Sequence, residues 1–142
     1  MRSLLLYGAA VAAAIVVLAS PLDGLMAHGG PEQVTLAFVT KLPNVPGKNL
    51  TAVVVTYAPG MKSPSHHHAG SVYAYVLSGE IRSANTATGP VRIYKAGQSF
   101  FEPPGSDHTI SENASETAPA SLLAIFVADE GATLTARNTG AQ

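Results

Sequence analysis

The stretch Pro59-Gly60-Met61-Lys62-Ser63-Pro64-Ser65-His66-His67-His68-Ala69-Gly70-Ser71-Val72-Tyr73-Ala74-Tyr75-Val76-Leu77-Ser78-Gly79 sets three consecutive histidines ahead of an apolar run. Side chains of an extended chain alternate faces with period two, so His66 and His68 share one face and His67 takes the other. The same alternation sorts the apolar run into two rows, Val72, Ala74 and Val76 against Tyr73, Tyr75 and Leu77. Both rows are apolar, as expected of a wall covered on both sides. Gly60 and Gly70 allow the backbone to turn sharply before and after the histidines.

Outward from this stretch the chain continues as strands and turns. Leu50 to Tyr57, with Val53-Val54-Val55-Thr56-Tyr57, is rich in β-formers and ends at Pro59-Gly60. Val34 to Thr40 is a second upstream strand, separated from it by a loop holding Pro43, Pro46 and Gly47. Downstream, strands are predicted at Glu80 to Ser83, Val91 to Tyr94, Ser99 to Glu102, His108 to Ser111 and Leu122 to Val127. Polar turns fall at 85–90 and 112–120, and the tail from Gly131 is polar enough to fray. No segment of the body carries a sustained 3.6-residue period, so the spacing predicts an all-β sandwich or barrel. Pro103-Pro104-Gly105 reverses the chain just before His108 and can swing that histidine toward the first pair.

The chain has 142 residues, 46% hydrophobic and 12% charged, with a net charge of -1. One domain is expected, and nothing in the charge balance suits a nucleic acid or an anionic membrane surface. The absence of cysteine excludes disulfides and thiolate sites, and makes imidazole nitrogen the first donor to expect for any transition metal. At the N-terminus, Arg2 precedes an apolar run from Leu4 to Ala19 that breaks at Ser20-Pro21. This reads as a signal peptide over residues 1–27, with Val17-Leu18-Ala19 and Leu25-Met26-Ala27 as cleavage tripeptides. A retained membrane anchor is the alternative, and either places residues 28–142 outside the cytoplasm, in the periplasm or secreted. Cleavage after Ala27 would make His28 the N-terminal residue.

Two motifs resemble those of the cupin family. Gly60, five residues, His66-x-His68 and then Gly79 is similar to the first cupin motif; Gly97, five residues, Pro103-x-Gly105, two residues, His108 is similar to the second. Tyr75-Val76-Leu77-Ser78-Gly79-Glu80 resembles the usual wording between them. The resemblance implies a single cupin-type double-stranded β-helix, a jelly-roll barrel with its core at about 50–128, binding a divalent metal through His66, His68 and His108. Iron comes first, with Zn, Ni, Mn or Cu as alternatives, and a homodimer is a family expectation. One departure is plain: where cupins usually place a glutamate, four residues after the second histidine of the first motif, this chain has Val72. Nor does an asparagine stand four residues after His108, where Glu112 is found and Asn113 follows one place late.

Some dioxygenases of the cupin fold use a three-histidine iron centre with open positions, so the resemblance implies, for an enzyme, a mononuclear metal-dependent dioxygenase or other oxidoreductase acting on a small organic molecule. A non-catalytic cupin that holds a small ligand or a metal is the competing reading, favoured by the missing acid. Glu102 and Tyr73 are the candidate catalytic side chains: Glu102 as the nearest carboxylate in sequence, of unknown facing, and Tyr73 for its place beside Val72. Metal loading should fall as pH drops below the ~6.5 of free histidine, because only neutral imidazole binds.

Overall fold

The run Lys48–Tyr57 forms a ten-residue strand because β-branched side chains fill both of its faces, and Gly60, at φ 68°, ends the segment that follows. The structure, a computed structural model, describes residues 32–139. The signal or anchor segment and His28 lie outside the described residues.

Ten strands follow in order: β1 (Gln33–Lys41), β2 (Lys48–Tyr57), β3 (His66–His68), β4 (Ser71–Ser78), β5 (Glu80–Asn85), β6 (Gly89–Lys95), β7 (Ser99–Glu102), β8 (Asp107–Asn113), β9 (Ala120–Asp129) and β10 (Thr135–Arg137). They make two five-stranded sheets, β1-β2-β9-β4-β7 and β10-β3-β8-β5-β6, with every pairing antiparallel. The all-β double-stranded β-helix expected from the motifs is the fold observed, and the described residues contain no helix.

The core lies between the sheets. Val72, Ala74 and Val76 of β4, Leu122, Ala124 and Phe126 of β9, and Ile81 of β5 meet there. The other row of β4 is not covered: Tyr73, Tyr75 and Leu77 are exposed on the outer face, beside Phe101 of β7. So only one of the two apolar rows is a core row, and the wall has a second sheet on one side alone.

One further expectation changes. Within the described residues the tail is ordered at 135–137, where Thr135–Arg137 pairs with the histidine strand β3, Thr135 opposite His68 and Arg137 opposite His66. Asn113 is buried and donates to the carbonyls of Ala58 and Ala118, tying the end of β8 to the loops around it.

Candidate metal centre

The three histidines converge. In the β3–β8 ladder His66 lies directly opposite His108, and His68 projects on the same face two residues on. Their ring centroids are 4.8 Å (His66–His68) and 5.0 Å (His66–His108) apart. One ligand nitrogen from each can be chosen so that all lie within 4.8 Å of one another, the span of a single coordinated ion. The turn at Pro103-Pro104-Gly105 is held to this strand, since Gly105 N donates to His68 O at 2.8 Å. Gly105 takes φ 71°, which a residue with a side chain adopts only under strain.

Each ring spends one nitrogen on an outer partner. His66 Nδ1 lies 2.7 Å from Pro64 O, and His68 Nδ1 lies 3.1 Å from both Leu134 O and Thr135 Oγ1. A carbonyl oxygen only accepts, so both Nδ1 atoms carry the proton and both Nε2 lone pairs are free. His108 Nε2 is 2.8 Å from Ser83 Oγ, while its Nδ1 is buried without a hydrogen bond. Three imidazoles, each braced through one nitrogen with the other left over, form the donor set that a divalent transition metal needs. The residues present fit such an ion.

Glu102 joins them. Its side chain is 3% exposed, and Oε2 sits 2.9 Å from His108 Nδ1 and 3.7 Å from His68 Nε2. The shorter contact is not aligned as a hydrogen bond. Asn85 Nδ2, at 3.4 Å, donates to the same oxygen. Tyr73 is elsewhere: 44% exposed on the outer face of β4, it points away from the histidines and has no part in the centre. Alternation accounts for this, because Val72 beside it faces in.

Glu102 and the histidines line a cavity of about 80 Å³ whose other walls are mostly apolar, including Val53, Phe100, Leu122 and Phe126. Its polar relief comes from Tyr57, whose hydroxyl lies 2.9 Å from both Ser63 Oγ and Ser111 Oγ. Burial raises the Tyr57 phenol, so it stays protonated. Sequence reasoning passed over Tyr57, Ser63, Ser83, Asn85, Ser111 and Thr135. Only the alternation of β5, which puts Ile81, Ser83 and Asn85 on one buried face, carried a signal for any of them.

Burial is also the first cause acting on the histidines: it lowers His66 and His68 below the ordinary histidine value of 6.5. For Glu102 burial pushes the other way, but the closeness of His108 and the positive potential of the imidazoles outweigh it and keep the carboxyl below 4.5. Both rings therefore remain neutral to lower pH than free imidazole, so loading should persist below the point that free histidine would set. In the metal-free protein the sign is the same at the level of stability. The unfolded chain takes up protons on these histidines below about 6.5 while the folded chain does not, so stability is intact above that pH and falls as pH drops through it. Thermal melts of the metal-free protein across pH 5 to 8 check this. A melting temperature that rises on acidification would contradict it.

The tail strand makes a second measurable claim. Deleting residues 134–142 removes both acceptors of His68 Nδ1 and the edge pairing of β3. Metal affinity should fall by roughly 10–100-fold, the usual cost of losing partners that orient a ligand. Competition titration with a chelator reads this directly, and an unchanged constant would show that β10 is not the brace.

Two antiparallel sheets that enclose a buried cluster of three histidines define the class of fold and site. The cupin domain family model matches residues 53–126, and this chain belongs to the cupin family. Among solved structures it is similar to a conserved protein with a double-stranded β-helix domain from Klebsiella pneumoniae, with 25% identity, 78% of this chain and 87% of that chain covered, and a TM-score of 0.60. It is also similar to an oxalate decarboxylase, with 27% identity over 70% of this chain and 26% of that one, and a TM-score of 0.55. A DMSP lyase from Ruegeria pomeroyi shares the fold, with 24% identity over 63% of this chain and 43% of that chain, and a TM-score of 0.54. The chain thus spans about a quarter of the decarboxylase and less than half of the lyase. Comparison with the curated proteins returns no match.

Proposed function

We propose that this chain is an exported metal-binding cupin in which His66, His68 and His108 hold one divalent ion, iron first among the candidates. We further propose that the centre acts as a mononuclear metal enzyme, an oxygenase or related oxidoreductase, on a small organic molecule. One observation carries this reading. Three imidazoles from two strands present free nitrogens to a single cavity, while hydrogen bonds fix the other side of His66 and His68. Bound there, a divalent ion supplies Lewis-acid or redox chemistry.

The chain's own residues do the rest. The apolar walls and small volume favour a compact substrate over a large polymer. The Tyr57 hydroxyl and the two serines it meets offer hydrogen bonds to a polar group of that substrate. Glu102 is the one carboxylate shown within reach of the histidines. The oxalate decarboxylase that resembles this chain acts on a small carboxylate, a substrate of suitable size. Export rests on the positive charge and apolar run of the first twenty residues.

A non-catalytic small-ligand cupin is the second reading. It is favoured by a lining in which Tyr57, Ser63 and Ser111 already satisfy one another. Metal analysis of the exported protein, followed by oxygen uptake over a panel of small carboxylates, phenols and diketones, separates the two. Stoichiometric metal with turnover supports the enzyme. Metal without turnover, but with ligand-dependent thermal stabilisation, supports the binder. A folded protein that takes up no metal from Fe(II), Mn(II), Ni(II) or Zn(II) ends both forms of the metal-centre reading.

A further inference from the structure

We propose that Glu102 is the fourth protein ligand of this centre, supplying from β7 the carboxylate that β4 lacks at Val72. The inference rests on the metal-binding reading above and deepens it. In the β4–β7 ladder Val72 is the direct partner of Glu102, and both side chains point inward, at 1% and 3% exposure. Directly opposed residues of an antiparallel pair have their Cβ atoms only ~4.5–5.5 Å apart. A glutamate on either strand can therefore deliver its carboxylate to the same point. The acid has been moved sideways by one strand.

Two independent observations point to an ion as the partner of this carboxylate. The first is its isolation. Among the described residues, no lysine or arginine touches Glu102, and its one hydrogen bond is the 3.4 Å contact from Asn85. A buried carboxylate without a cation is costly, and natural sites that keep one pair it or place it on a metal. The second is His108 Nδ1, which is buried, makes no hydrogen bond and lies 2.9 Å from Glu102 Oε2. That nitrogen and Glu102 Oε2, whose one hydrogen bond is long, face one region, together with His68 Nε2 at 3.7 Å from that oxygen. An ion among them satisfies all three at once. Three neutral imidazoles and one carboxylate also reduce the buried charge of a divalent ion from two to one, which lowers the cost of burying it.

The alternative role for Glu102 is that of a positioning group, which steadies the His108 ring and never touches the ion. Affinity and structure separate the two. In Glu102→Gln, a change that keeps shape and removes charge, Mn(II) and Zn(II) affinity by chelator competition should fall by more than ~100-fold, beyond the ~10–100-fold expected for an outer partner. A crystal structure or X-ray absorption spectrum of the Zn(II)-loaded wild type should place a Glu102 oxygen about 2.0–2.2 Å from the metal. An oxygen beyond 3 Å, or a Glu102→Gln affinity within about tenfold of wild type, overturns the proposal. The exchange variant Val72→Glu/Glu102→Val tests the sideways move itself. Its affinity should recover to within about tenfold of wild type, and a folded exchange variant that stays metal-free overturns the equivalence of the two positions. If wild type takes up no metal at all, the metal-binding reading fails; if wild type loads and Glu102→Gln loads equally, only this inference fails.

Discussion

His108→Ala is expected to strip the protein of metal while leaving the barrel folded. In wild type, metal analysis after dialysis should give one ion per chain, and in the variant only a trace. His108 is the one ligand that comes from β8, and β8 is also the strand against which His66 is registered. Its loss removes the donor that closes the ring of nitrogens, and the two histidines of one short strand, even with Glu102 beside His68, are too open a set to compete with chelators. The drop should exceed the ~10–100-fold that losing an orienting partner costs. His66→Ala should behave alike. His67→Ala should keep its metal, because its ring lies on the opposite face with Nδ1 2.7 Å from Asn138 Oδ1. Metal loss in His67→Ala equal to that in His108→Ala would mean that the faces of β3 are wrongly assigned.

Gly70→Ala should be severely destabilising for a single added methyl. A Cβ at this position meets Val127 O at 2.2 Å and Ala128 Cβ at 2.6 Å, on the neighbouring strand β9. Neither obstacle is a flexible side-chain end, so a strand of the barrel wall must move. Overpacking of this kind costs about 3 kcal/mol or more, a loss of roughly 12 °C or more in melting temperature for a domain of this size. Gly60→Ala makes the useful contrast. There the added Cβ meets the carboxylate end of Glu116, which can swing aside, and the cost is the backbone strain at φ 68°, about 1–2 kcal/mol. Equal melting temperatures for the two variants would show that β9 yields more easily than a packed wall should.

That contrast also shows what local sequence can convey. Gly60 and Gly70 look alike as turn residues, yet only Gly60 needs a left-handed backbone; Gly70 is small because β9 passes close by, and nothing within the stretch announces β9. The two motifs made the barrel and the three histidines legible, since their spacing encodes strand, turn and face together. Glu102 was legible as a residue and not as a position. Phe100 and Phe101 precede it and are both apolar, so alternation along β7 does not say which side is buried, and the pairing with Val72 exists only across strands. Tyr73 could have been set aside by alternation alone once Val72 was taken as inward. The brace at Thr135 was invisible, because three residues of mixed polarity carry no period and owe their order entirely to β3.

The position of that brace has a consequence for biogenesis. Thr135–Arg137 follows every other strand described here, so it leaves the ribosome, or emerges from a translocation channel, after all of them. Until it docks, His68 lacks both acceptors for its Nδ1 proton and can turn its ring freely. On the metal-binding reading proposed above, the polypeptide completes the rest of its wall before it acquires a competent grip on an ion, which defers capture until the last of these strands has emerged and docked.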